Sequence, residues 1–215
     1  MTNIFKTPEK RSLKARLVQV AEEALAKEGW TVERIAGSGK SSVRRITKGK
    51  VQKVVTIRTT QNTWIAFPRT DGDDAWATLG EVDYVVASSV DDRYNPQFAQ
   101  VHLIDGNEMR ARFDRAYAAR KAANYTLPVG RGIWLSLYDR EAAAPVTLVG
   151  AGAGLAYPPI AKVLLTQDEV AEAFEDQSPA VEEAAEAPLT IAEAKRRLAL
   201  TFGVTEVDVK ITING

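Results

Sequence analysis

The 215-residue chain contains no cysteine and a single histidine, His102. Disulfide scaffolds, iron–sulfur clusters, thiolate zinc sites and cysteine nucleophiles are therefore excluded. A multi-histidine metal site within one chain is excluded too. Any metal has to be a hard, oxygen-liganded ion such as Mg²⁺ or Ca²⁺. The N-terminus, MTNIFKTPEKRSLKARL, has no apolar segment after its basic residues, so it is not a secretory signal, and a cytoplasmic location is expected. Residues 142–161 are uncharged over 20 positions, which raises a membrane span. Pro145, Pro158, Pro159 and the Ala/Gly content make the stretch too interrupted and too weakly apolar, so it reads as buried loop and strand.

Net charge is also lacking, with 28 Lys+Arg against 28 Asp+Glu. The balance hides a segregation. Residues 1–60 hold 14 basic and 5 acidic side chains, a net of +9; residues 61–165 hold 10 and 12, a net of −2; residues 166–215 hold 4 and 11, a net of −7. A basic front half points to nucleic acid or an acidic partner. The acidic tail is a competitor for the same surface, or simply a solvated face. Apolar residues make up 45% of the chain, enough for a globular core.

Thr7 and Pro8 read as a helix start. Leu13, Leu17, Val20, Ala21, Ala24 and Leu25 then form one apolar stripe, and Gly29 stands at the C-terminal cap. Strand-like runs follow over 30–35, 42–46, 51–59 and 63–67, separated by Gly37-Ser38-Gly39, Lys48-Gly49-Lys50 and Gln61-Asn62 turns. A turn-rich acidic segment, 70–80, carries a short helical turn around 75–79. Strands are expected over 82–88, 100–104 and 133–138. A helix capped by Asn107 is expected to run to about Ala123, with Met109, Phe113, Ala116 and Tyr117 on one face. Residues 166–188 read as an acidic Ala/Pro linker with a possible helix over 167–174. Thr190 and Glu193 form a capping box for a helix over 191–202, and 207–213 alternates as a strand. The fold class is α/β, a central mixed β-sheet flanked by helices. It divides into a main domain over 1–165, the linker over 166–188 and a C-terminal helix–strand module over 189–215.

Two glycine motifs fail. Gly37-Ser38-Gly39-Lys40-Ser41 looks like the end of a phosphate-binding loop, but the required upstream glycine is Arg34 and a strand, not a helix, follows. The Gly150-Ala151-Gly152-Ala153-Gly154 run has Leu155 where the third glycine of a dinucleotide fingerprint belongs, so a tight turn between packed elements is the better reading.

The order of elements is more informative: helix, strand, Gly-Ser-Gly turn, Ser41-Ser42-Val43, basic turn, then Val54-Val55-Thr56-Ile57-Arg58-Thr59. Trp64-Ile65-Ala66-Phe67 and Val82-Asp83-Tyr84-Val85-Val86 follow. Over roughly residues 10–125 this resembles the PD-(D/E)XK nuclease-like superfamily, the restriction-endonuclease-like fold. The resemblance is one of pattern and order. It implies a metal-binding Asp early on the second strand and Glu-x-Lys on the third. Here Ser42 stands at the Asp position, Thr56 at the Glu and Arg58 at the Lys. Hydroxyls cannot replace carboxylate charge around Mg²⁺, and an arginine that stays protonated cannot serve as a base. The resemblance therefore implies a degenerate, metal-free pseudo-nuclease with no cofactor and no catalytic residue.

A positive cleft would remain. Lys40, Arg44, Arg45, Lys48, Lys50, Lys53 and Arg58 fall within 19 residues, with Gln61 at the next turn. On strands Arg44 and Arg45 point to opposite faces, so only a subset can share a surface. The expected function is binding of DNA, in preference to RNA, through backbone contacts of this set together with Ser42. The alternative from another class is a protein–protein adaptor or homo-oligomeric subunit that pairs its basic front with an acidic tail. A further alternative is an active Mg²⁺-dependent nuclease with relocated ligands at Asp71, Asp73 and Asp83. His102 reads as a surface or edge residue. Trp30, Trp64, Trp76 and Trp134 read as core, with an exposed stacking role as the alternative for Trp76, which lies in the acidic loop.

Overall fold

The computed structural model describes residues 8–35, 42–70, 72–127 and 132–166, together with Lys195, Thr205 and Lys210. The chain divides into two compact units, Met1–Pro179 and Ala180–Gly215. Thr7, the 36–41 turn, the acidic linker beyond Thr166 and the C-terminal helix and strand expected over 191–213 lie outside the described residues, apart from the three single positions named.

Helix α1, Pro8–Lys27, ends as its sequence dictates. Gly29 takes φ +86°, and the Trp30 and Gly29 amides donate to the Leu25 and Ala26 carbonyls at 3.0 and 2.9 Å, a Schellman closure. All six residues of the expected stripe are at most 2% exposed. Each buried leucine contributes about 1.5–3 kcal/mol. The stripe packs on one face of a six-stranded sheet against Ile46, Val55, Ile57, Val86, Val90, Ala99 and Val101.

That sheet contains β1 (Thr31–Arg34), β2 (Val43–Lys48), β3 (Val51–Thr60), β5 (Tyr84–Val90), β6 (Phe98–Asp105) and β8 (Ala161–Leu164), in that spatial order. Neighbours are antiparallel except β3 and β5, which run parallel. The sheet is therefore mixed and the protein is α/β. The Gly49-Lys50 hairpin loop puts glycine, at φ +59°, in the first central position that a two-residue turn of this kind requires. The parallel connection carries no long crossover helix. It runs instead through β4 (Trp64–Pro68) and a 3₁₀ turn, Leu79–Glu81. That turn lies after the 75–79 position expected for a helical turn, because Trp76 forms a bridge with Arg69.

On the second face, β4 pairs with β7 (Gly132–Ser136) in a small antiparallel sheet beside α2 (Gly106–Ala122). Met109, Phe113 and Ala116 of α2 share a core with Phe67, Val85, Ile104 and Leu135, as their spacing predicts. The cap of α2 is Asp105, not Asn107: its carboxylate accepts the Asn107 and Glu108 amides at 2.8 and 3.1 Å.

The outer side of α2 binds loops through arginines. Arg110 donates to the Leu79 and Val82 carbonyls, Arg112 to Ala151, and Arg120 to Trp134 and Thr147. Arg115 pairs with Glu141, whose carboxylate also accepts the Gly150 amide at 2.9 Å. Arg115 and that amide hold Glu141 below the usual carboxylate range despite partial burial. This is how the uncharged 142–160 stretch is tied down without regular strand structure: it holds a 3₁₀ turn, Val146–Leu148, and a single helical turn, α3 (Ala153–Ala156), before β8 begins. The glycine run is a tight turn: Gly150 takes φ +82°, and a Cβ there would lie 2.5 Å from the Arg112 carbonyl oxygen. Among the described residues no helix is long and apolar enough to cross a membrane.

Candidate functional site

Ser42 immediately precedes β2, and the β2–β3 register sets Val43 opposite Thr56. The Ile57 amide donates to the Ser42 carbonyl at 2.8 Å, which continues the ladder to Ser42 itself. The Thr56 hydroxyl then donates to the Ser42 hydroxyl at 3.2 Å. Thr56 is fully buried. Arg58, two residues farther along the same face, is 9% exposed and lies over the Phe67 ring of β4 at 4.5 Å. Thr56 and Arg58 thus share one face of the sheet, and the Thr56 hydroxyl is in direct contact with that of Ser42 at the start of β2.

The basic residues divide. Arg45 is exposed on the Thr56 face, opposite Val54, and Lys50 is exposed at the hairpin tip; among the described residues neither has an ion pair. Arg44 points the other way, into α1. Its side chain is 5% exposed and its Nε lies 3.0 Å from a Glu22 carboxylate oxygen. Arg44 is therefore not part of an open binding surface, because the alternation that exposes Arg45 buries it. Lys48 is exposed but donates to the Glu28 carbonyl at 2.7 Å and lies over Trp30. Lys53 pairs with Asp83 at 3.0 Å. Gln61, at the end of β3, has a buried Oε1 with no hydrogen-bond partner. Lys40 lies outside the described residues.

Of the alternative ligands, Asp73 and Asp83 are each engaged by other partners. Asp83 accepts the Val54 amide at 2.8 Å and pairs with Lys53; partial burial alone would raise its carboxyl, but these two contacts outweigh it and hold it below the usual carboxylate range. Asp73 is held low by the Tyr117 hydroxyl and by Arg69. The Arg69 guanidinium lies 4.7 and 4.6 Å from the Trp76 and Tyr117 rings, which are themselves in edge contact. Asp71 lies outside the described residues. Among the described residues no three His, Asp or Glu side chains are grouped to hold a metal ion. Two neutral hydroxyls and a guanidinium do not fit Mg²⁺; Thr56 is buried and spends its proton on Ser42, so the chemistry left for an oxyanion is the Ser42 proton and the Arg58 charge.

The core reading of Trp76 holds, and the surface reading of His102 is overturned. Trp76 is 4% exposed, packed edge-on against Phe113 with its indole N–H on Asp114 at 2.7 Å, so it is not an exposed stacking residue. His102 is fully buried, because Tyr138 and the Tyr157 backbone pack on its ring from the segment before β8. Its Nδ1 donates to the Tyr157 carbonyl (2.7 Å), which leaves Nε2 to accept the Tyr138 hydroxyl at 2.9 Å. Burial lowers the His102 pKa and pushes the Tyr138 hydroxyl up to about 12.

Comparison with protein-family models, characterised proteins and solved structures returns no match.

Function therefore has to be argued from the site itself. Glu22, Tyr138 and the α2 arginines carry no local signal in the sequence; each acquires its role from a partner tens of residues away. The half-exposed aromatics on the β5–β6 turn were equally unmarked by any motif.

Proposed function

We propose that the chain is a nucleic-acid-binding protein built on a catalytically inactive PD-(D/E)XK-like core. It holds the phosphate backbone, of DNA in preference to RNA, through the β2–β3 surface. The contact between Ser42 and Thr56, with Arg58 on the same face, carries this reading. In the resemblance, hydroxyls stand at the two carboxylate positions and a permanent cation at the lysine position. The antiparallel β1-β2-β3 order and the parallel β3–β5 pair support the same resemblance. Arg45 and Lys50 supply the accessible charge, and Ser42, whose hydroxyl accepts from the buried Thr56 and keeps its own proton, supplies a donor.

Fluorescence anisotropy with labelled duplex and single-stranded oligonucleotides over a salt series tests this. Affinity should fall steeply with salt, and Arg45→Ala or Lys50→Ala should each reduce the log–log slope by about 0.7–0.9. Absence of binding at low salt overturns the reading. Mg²⁺-dependent cleavage that Asp83→Ala abolishes overturns its non-cleaving part. A second reading, a self-associating adaptor, is favoured by one observation: residues 166–194 contain acidic side chains and no Lys or Arg. A salt-sensitive oligomer without oligonucleotide binding would support it.

A further inference from the structure

The turn between β5 and β6 is built rigidly and still leaves a large ring in solvent. The Asp91 carboxylate accepts the Gln97 and Phe98 amides at 2.9 and 3.0 Å, and the Asp92 carboxylate accepts the Tyr94 and Asn95 amides at 2.6 and 3.1 Å. Both acids are thereby committed to shaping the turn. Tyr94 nevertheless is 68% exposed, with the Arg93 guanidinium 4.9 Å from its ring. At the foot of the same turn, the Lys162 ammonium lies 4.0 Å from the Phe98 ring, and Leu164, opposite Phe98 on the edge strand, is 67% exposed.

From this arrangement we infer a second contact surface, in which Tyr94 stacks an unpaired base while Arg93 and Lys162 meet the flanking phosphates. The partner is then a single-stranded nucleic acid. Exposed rings with adjacent cations are the combination that binds single strands without reading sequence, since every base has a π-face. A duplex offers no unpaired base to Tyr94. The rings are separated by Asn95 and Gln97 rather than merged into one apolar patch, which favours base stacking over docking of a protein. The inference rests on the nucleic-acid reading above and narrows its partner. It also adds residues outside the chain's basic front, far from Arg45 and Lys50 in sequence.

The test uses the full chain and an oligodeoxythymidylate of about 12 nucleotides carrying one 2-aminopurine, whose fluorescence falls on stacking. Binding of the native chain should quench it. Tyr94→Ala should weaken single-strand binding by about tenfold or more and remove the quench, and Tyr94→Phe should restore both. Arg45→Ala should weaken binding but leave the quench at saturation. Duplex affinity should be unchanged in Tyr94→Ala. If Tyr94→Ala binds and quenches like the native chain while Arg45→Ala still weakens binding, the stacking surface is wrong and the backbone reading stands. If no oligonucleotide binds, both are wrong. Tyr94-dependent self-association without oligonucleotide binding would instead make this a protein contact and overturn the inference.

Discussion

Arg44 and Glu22 form an asymmetric ion pair, and the asymmetry predicts which half matters more. The Arg44 side chain is 5% exposed, whereas Glu22 retains 39% exposure. When Arg44→Met removes the cation, the carboxylate left behind can turn to water, and a long apolar side chain fills the space against α1. When Glu22→Gln removes the anion, the guanidinium stays buried with its charge less well balanced. Hydrogen bonds to charged groups contribute about 1.5–3 kcal/mol, and loss of the partner to a buried charge lies toward the upper end. Glu22's exposure discounts that figure through solvent screening, which leaves about 1–2 kcal/mol for Glu22→Gln and about 1 kcal/mol or less for Arg44→Met. For a domain of this size, 1 kcal/mol corresponds to about 2–4 °C in Tm. Urea unfolding of both single variants and the double variant, at low and at high salt, measures each term and their coupling. A larger loss for Arg44→Met than for Glu22→Gln would refute the reasoning. So would an Arg44→Ala variant of native stability whose oligonucleotide affinity collapses, since that would make Arg44 a contact residue.

Gly150→Ala is expected to destabilise by more than about 2 kcal/mol, because both the left-handed backbone and the 2.5 Å approach to the Arg112 carbonyl oppose a side chain. Gly49→Ala, with nothing within 4 Å of the new Cβ, should show only the backbone cost of about 1 kcal/mol, and equal losses in thermal melts would contradict this. His102 predicts a pH dependence. Burial depresses its folded value below the ordinary 6.5, so the unfolded chain takes up the proton first. Its contribution to stability is present above about pH 6.5 and is lost as the pH falls from there through the folded value. Unfolding free energies measured between about pH 7.5 and 5.5 should show this slope, and His102→Gln should flatten it; an unchanged slope would exclude His102 as the source.

Much of the scaffold was legible because it is encoded by local periodicity. The six-residue stripe of α1 and its Gly29 closure depend only on spacing and on one backbone angle. The β2–β3 hairpin was equally plain, since glycine and lysine mark its tip and alternation fixes which cations diverge. The neighbourhood of Ser42 and Thr56 followed from the order of elements. What sequence could not supply was the identity of the covering layer. His102 alternates like an edge residue, and Tyr138 and Tyr157, 36 and 55 residues later, enclose it. Trp76 lies in a segment with the composition of a solvated loop. Arg69 and Tyr117 beside its ring and Asp114 on its indole N–H draw it inward. Asp105 displaced Asn107 as the helix cap because β6 runs directly into α2 and leaves no room for a linker.

The topology also orders events during synthesis. β1, β2 and β3 can pair as successive hairpins, and β5 with β6 likewise, but β4 has to wait for β7, whose register partners lie some seventy residues downstream. β8 then covers β6 last. Non-local closures of this kind are slow, and an uncovered sheet edge is exposed to pairing with other chains while they are pending. A nascent chain that stops before Gly132 therefore has the first hydrophobic face assembled under α1, while β4 remains unpaired and His102 is still uncovered. Premature termination in that window should yield aggregation rather than a smaller folded domain.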